Sequence, residues 1–159
     1  MVQNGVCCFT GHRDYEKTVT PLEKLFFEKL IDNLIGYGYT TFIAGGALGF
    51  DTAAAEYVLK KKAQGLPVRL ELILPCADQT NGWTERNKDI YNYIRAKADS
   101  VEYVTKTYTP TCMHERNRRL VEGSDFCIAY LTSPRGGTAY TYKYAKSRGV
   151  DVINLAEQK

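Results

Sequence analysis

The sequence predicts an α/β fold with a mostly parallel sheet of about six strands, and three observations carry that expectation. Short apolar runs alternate with amphipathic stretches from one end of the chain to the other. No proline- or serine-rich linker, charge block, internal repeat or low-complexity segment breaks the alternation, so residues 1–159 read as a single domain. Three of the apolar runs are followed by glycine-containing turns, the chemistry expected where a strand hands over to a helix.

The strands are expected at Val6 to Phe9, Thr41 to Ala44, Val68 to Leu74, Val101 to Val104, Phe126 to Leu131 and Val152 to Leu155. Between the first two lies the clearest helix. Thr20 and Glu23 form a capping box around Pro21 at the first helical position, and Leu22, Phe26, Leu30 and Leu34 recur every four residues up to Gly36, a stripe expected to pack on the sheet. A second helix is expected to start with Asp51 as its N-cap, bonding the amides of Ala53 or Ala54. It runs through Ala55, Val58 and Leu59 to Lys60, Lys61 and Lys62, whose charge suits the negative end of the helix dipole. Ile90 and Ile94, one turn apart, mark a third helix over Glu85 to Ala98, and a fourth covers His114 to Glu122 and ends before Gly123. In Thr138 to Ser147, Tyr140, Tyr142 and Tyr144 alternate as in a strand. The Gly-Gly-Thr opening, Ala139, Ala145 and the following Gly149 nevertheless predict a helix between two parallel strands.

Hydrophobic residues make up 44% of the chain and charged residues 25%, which excludes intrinsic disorder and allows a core that needs neither disulfides nor a structural metal. No apolar run approaches the ~18 residues needed to span a bilayer, and the opening Met-Val-Gln-Asn-Gly lacks the basic and apolar regions of a signal peptide. The expected location is the cytoplasm, with no membrane partner. Twenty-one basic against 18 acidic residues leave a formal charge of +3, too little to predict capture of a long nucleic acid, while a small anionic ligand stays open. The five cysteines are expected reduced and mostly buried, with Cys7, Cys8 and Cys127 acting as small hydrophobes within strands. Cys112 and His114 form a C-x-H pair without a second pair at zinc-ligand spacing, and His12 is the only other histidine, so neither a metal nor a cofactor is expected.

The three turns are Thr10-Gly11-His12-Arg13, Gly45-Gly46-Ala47-Leu48-Gly49-Phe50-Asp51 and Pro134-Arg135-Gly136-Gly137-Thr138. In an open parallel sheet such turns emerge at the carboxyl edge, where ligands bind in the crevice at which strand order reverses. Glycine lets the backbone approach a ligand, and the free N–H groups of a helix's first turn favour phosphate, so three such turns point to a phosphate-bearing ligand. The order G-G-x-x-G-x-D is not the G-x-G-x-x-G dinucleotide fingerprint, and no G-K-[ST] ends a P-loop, which excludes ordinary dehydrogenase and NTPase readings. The amides of Gly136, Gly137 and Thr138 are the expected phosphate cradle. Gly11, His12 and Arg13 are given a binding role, the imidazole as hydrogen-bond partner and the guanidinium as phosphate clamp. Gly46, Gly49 and Asp51 are expected to approach a ribose. Trp83, behind the loop Asp78-Gln79-Thr80-Asn81-Gly82, is placed either to stack on a base or to pack between helix and sheet.

Gly46-Ala47-Leu48-Gly49-Phe50-Asp51, Arg116-Asn117 before Ser124-Asp125, and Gly136-Gly137-Thr138-Ala139-Tyr140-Thr141 resemble the ligand-site motifs of the SLOG superfamily, which groups the DprA DNA-processing proteins with the Lonely Guy enzymes. The likeness is greatest to its YpsA-like branch, whose pattern is also matched by Cys8-Phe9-Thr10-Gly11-His12-Arg13 and by Pro75, Gln79 and Trp83. It spans nearly the whole chain. It implies a three-layer Rossmann-like domain that binds a nucleotide-derived small molecule, a nucleotide or nucleotide-sugar, as a sensor or regulator.

The resemblance also carries two alternatives. Lonely Guy phosphoribohydrolases cleave the N-glycosidic bond of a nucleoside monophosphate with a Met-His-Glu-Arg-Lys segment and a P-G-G-x-G-T-x-x-E loop. Met113-His114-Glu115-Arg116 is similar to the first, with Asn117 in place of the lysine, which makes Arg116 a phosphate or ribose ligand and the residue a hydrolase would rest on. Tyr140 and Thr141 stand where the enzymes have acidic residues, so the carboxylate that stabilises oxocarbenium character is missing there, leaving Glu115, Glu122 or Asp125 to supply it. The second alternative is single-stranded DNA binding, because Gly137-Thr138-Ala139-Tyr140-Thr141 resembles the G-T-L-x-T-A loop of DprA. Against it, Arg116, Arg118 and Arg119 point in different directions from successive helix positions and read as a solvated face rather than a groove. A homodimer is the default expectation, from the frequency of two-fold assemblies.

Overall fold

The computed structural model describes residues 2–157. Along the chain lie β1 (Gly5–Gly11), α1 (Tyr15–Thr18), α2 (Pro21–Gly36), β2 (Tyr39–Ala44), α3 (Phe50–Ala63), β3 (Arg69–Cys76) and α4 (Glu85–Lys97). There follow β4 (Ser100–Thr105), α5 (Cys112–Glu122), β5 (Phe126–Tyr130), α6 (Gly137–Ser147), β6 (Asp151–Asn154) and a 3-10 turn at Leu155–Glu157. All six strands join one parallel sheet in the order β4-β3-β2-β1-β5-β6, the Rossmann-like arrangement expected. The chain builds outward from β1 to β4, then returns to lay β5 on the free side of β1, with Cys8 opposite Ile43 on one flank and Cys127 on the other. The switch in direction therefore falls between β1 and β5, where the carboxyl edge opens a crevice.

Alternation along the strands sends residues to two layers of helices. Cys7, Phe9, Phe42, Ala44, Ile128 and Tyr130 face the core shared with α2 and α3, while Cys8, Ile43 and Cys127 meet Leu120 and Val121 of α5 and Ala145 of α6. All five cysteines are free and buried. Rings fill the larger core at the end nearest the crevice. Phe9, Tyr15, Phe27, Phe50 and Tyr130 pack with centroids between 4.9 and 6.3 Å apart, mostly edge to face, as ring quadrupoles prefer. Among the described residues no helix is long and apolar enough to cross a membrane.

Four expectations are corrected. The stripe of α2 that reaches the core is Phe27, Ile31 and Leu34, whereas Leu22 is 62% exposed and Phe26 and Leu30 are only partly covered. A strict four-residue step advances 40° per step beyond a 3.6-residue turn, so the expected stripe winds off the face that the 4,3 spacing keeps. Asp51 is not an N-cap. Gly49 holds that position at φ +79°, and Asp51 is the second residue of α3, its carboxylate folded back to accept from the Ala47 N–H at 3.2 Å. Tyr15–Thr18 forms a one-turn helix too short to leave a periodic signal. Lastly β5 stops at Tyr130, because the Asn154 side chain takes both the N–H and the carbonyl of Leu131, at 3.0 and 2.9 Å, and so replaces the ladder there.

Candidate functional site

At the crevice, the end of β1, the start of α3 and the first turns of α5 and α6 surround a cleft of about 380 Å³. Its walls include Thr10, Gly11, His12 and Arg13 from β1 and the turn after it, Ala47 and Asp51, Met113, His114, Arg116 and Asn117 from α5, and Gly137 and Thr138 from α6. Seven residues expected from sequence to form the site thus meet in one place: Gly11, His12, Arg13, Asp51, Arg116, Gly137 and Thr138.

Arg116 is the centre of the arrangement. It is only 6% exposed, contrary to a solvated face; Arg118 instead bonds the Tyr140 hydroxyl at 3.2 Å, and Arg119 pairs with Glu102 and Glu115. One Arg116 amine, Nη1, donates to the carbonyl of Gly45, and Nε donates to Asn117 Oδ1 at 2.7 Å. Among the described residues Nη2 donates to the Met113 sulfur alone, 4.0 Å away, so one of its two N–H groups remains for a guest. Burial pulls the guanidinium below its ordinary pKa, while Asp51 pulls the other way. Gly45 explains how charge and counter-charge fit together. A Cβ there would stand 2.6 Å from Arg116 Nη1 and 3.0 Å from Asp51 Oδ2. Gly45 and Asn117 stand within the turns and motifs read from the sequence but carry no assigned site role there, because the partners that give them meaning come from other elements.

Asp51 is 5% exposed, and burial lifts its carboxyl from the usual 3.8 to about 6 against the pull of Arg116, the Ala47 amide and Arg13. Among the described residues it is the only carboxylate on the cleft wall. Glu115 pairs with Arg119, Glu122 accepts from the Tyr144 hydroxyl at 2.6 Å, and Asp125 accepts from the Val6 N–H at 2.9 Å. The three acids considered from sequence are therefore occupied away from the cleft. His12 Nε2 accepts from the Thr132 N–H at 2.9 Å, which places the ring proton on Nδ1. The His12 carbonyl accepts from Phe50 and Tyr15, locking the turn that carries Arg13.

Helix α6 begins without a cap. Gly136, at φ +97°, offers no side chain, and its first turn holds no acid, so the amides of Gly137 and Thr138 meet the cleft with the positive end of the helix dipole unanswered. Thr141, buried, spends its hydroxyl on the Gly137 carbonyl at 2.8 Å.

Four expected residues lie off the cleft wall. Gly46, at φ +76°, turns its α-carbon toward Leu74, Gln79 and Tyr91, and Gly49 packs against the Arg13 carbonyl, so both shape the turn rather than touch the cleft. Gly136 stands behind Gly137 as the N-cap. Trp83 packs edge to face on Tyr91, centroids 5.5 Å apart, and lines a separate cavity of about 310 Å³.

A family model described as the YspA SLOG family matches residues 7–152. The chain is 29% identical over 152 residues to a UPF0398 protein of Bacillus pumilus, covering 89% of this chain and 82% of that one. Another UPF0398 protein, from Halalkalibacterium halodurans, is also 29% identical, over 154 residues. Among solved structures, DNA processing protein A from Helicobacter pylori superposes with a TM-score of 0.68 at 20% identity, covering 94% of this chain and 64% of that one. The Streptococcus pneumoniae protein of the same name gives 0.67 at 19%, covering 93% and 49%. This chain spans less than two thirds of either DNA processing protein, and likeness at those identities shows the fold alone.

Proposed function

The chain belongs to the YspA SLOG family, and from that premise we propose that it binds a nucleotide or nucleotide-sugar-type ligand by its phosphate at the carboxyl edge of the sheet, as a sensor or regulator. The observation that carries this reading is the meeting of the buried Arg116, the exposed Arg13 and the uncapped start of α6 on one cleft whose only acid among the described residues is Asp51. Phosphate oxygens would accept from the Gly137 and Thr138 amides and from Arg116 Nη2, with Arg13 closing over them. The volume of about 380 Å³ suits a small ligand. A thermal-shift series with AMP, ADP-ribose, NAD and cyclic nucleotides tests it. A ligand at one hundred times its Kd adds about 2.7 kcal/mol, a rise of roughly 5–10 °C at this chain length. No rise with any of them overturns the proposal.

A second reading, N-glycosidic cleavage of a nucleoside monophosphate, is favoured by Asp51. Its carboxyl, lifted to about 6, is suited to orienting water and stabilising oxocarbenium charge beside Arg116, the role absent from the α6 loop. This reading predicts free base released from AMP and its loss in Asp51→Asn; no release by the native chain removes it. Single-stranded DNA, bound by the Helicobacter pylori protein, belongs in the same series, and affinity that falls steeply with salt would favour it over a small ligand.

A further inference from the structure

We propose that the cavity beside Trp83 is a nucleobase subsite, an inference that rests on the nucleotide reading above and extends it. The cavity, about 310 Å³, adjoins the cleft and shares Arg13 and Met113 as a common wall, so a ligand held by phosphate on one side of Arg13 reaches the other side with its base. On that side, both carboxamide atoms of Gln79 and Oδ1 of Asp78 are buried without a hydrogen-bond partner. A buried polar group left unpaired is costly, and three such atoms in one short loop point to groups whose partner arrives from outside. A small rotation of the Gln79 carboxamide toward the cavity it lines brings its N–H₂ and C=O to face a guest. Before that rotation Gln79 Oε1 lies against Gly46, where a Cβ would stand 3.4 Å from it.

The chemistry selects a heterocycle. A carboxamide sets one donor beside one acceptor, which matches the adjacent acceptor and donor on a base edge, as glutamine does with adenine. Asp78 adds an acceptor for an exocyclic amino group. Trp83, steadied edge to face by Tyr91, supplies a flat face for stacking.

Calorimetric titration of the native chain with ribose 5-phosphate and the four nucleoside 5′-monophosphates, followed also by the fluorescence of Trp83, the single tryptophan, tests the subsite. At least one nucleotide is expected to bind thirtyfold or more tighter than ribose 5-phosphate, on the order expected for one stacked and paired base, and to quench Trp83 where ribose 5-phosphate does not. Gln79→Ala should cut that advantage to about threefold while keeping the ribose 5-phosphate affinity, which also reports that the variant is folded. Equal affinity, an unquenched Trp83, or an advantage that survives Gln79→Ala overturns the subsite and leaves the phosphate reading standing. No binding by any of the five compounds overturns the subsite, while the phosphate reading is decided by the thermal-shift series.

Discussion

Helix α2 begins with Thr20 Oγ1 accepting from the Glu23 N–H at 3.1 Å, Glu23 Oε1 accepting from the Thr20 N–H at 2.9 Å, and a proline that has no N–H to satisfy. Helix α6 begins with two glycines, no capping side chain and no acid. Between these extremes, α3 carries its own anion in its first turn, the buried Asp51. A good cap stabilises a helix by about 1 kcal/mol. The chain uses that gain at α2 and forgoes it at α6, which opens on the cleft. Donors are left free where a guest can take them.

The largest effect that would sharpen this contrast comes from Arg116→Ala. Loss of the guanidinium strands Asp51 in a buried site, so unfolding in urea should show a loss of about 3–5 kcal/mol, and nucleotide affinity should fall more than a hundredfold. Next is the pH dependence of stability set at α3. With the folded carboxyl raised from 3.8 to about 6, the native state holds the proton that the unfolded chain has released. Asp51 therefore favours folding least above pH 6, and of the roughly 3 kcal/mol lost between strongly acidic and neutral pH about 2 kcal/mol goes as pH rises from 4 to 6, a slope that Asp51→Asn should remove from chemical denaturation series. Gly137→Asp then gives α6 the negative charge it lacks; its Cβ would meet only Asn117 Nδ2, at 3.5 Å. The melting temperature should hold or rise slightly, while nucleotide affinity drops about tenfold. A drop in stability with affinity intact would break the contrast. Smallest is Thr20→Ala, expected to cost about 1 kcal/mol in thermal unfolding and to leave ligand affinity unchanged.

The parts of this molecule written in local chemistry were legible beforehand. Thr20, Pro21 and Glu23 define the start of α2 within four residues, and the apolar runs place all six strands, most directly the inner β1, β2, β3 and β5, since a parallel strand covered on both faces needs little else. What the sequence withheld were relations between distant residues. Gly45, Gly46 and Gly49 look alike in the chain, yet one makes room for the Arg116 and Asp51 pair, one for Leu74 and Gln79, and one for the Arg13 carbonyl. Asp51 reads as a cap by its place before alanines, and only burial beside α5 turns it inward. Glu115, Glu122 and Asp125 read as equals of Asp51 until their partners, Arg119, Tyr144 and Val6, are known. The carboxylate that the described residues place on the cleft wall comes from α3, and not from the α6 loop where the family comparison looks for one.

The central position of β1 also governs how the protein is made. Among the six strands it is synthesised first, and its second neighbour comes far later: the Val6 N–H finds Asp125 119 residues along the chain. Translation at about 5–20 residues per second keeps that flank of Cys7, Cys8 and Phe9 unpaired for roughly 6 to 24 seconds. During that interval the nascent chain presents a bare apolar strand edge, the kind of surface open to pairing with another chain.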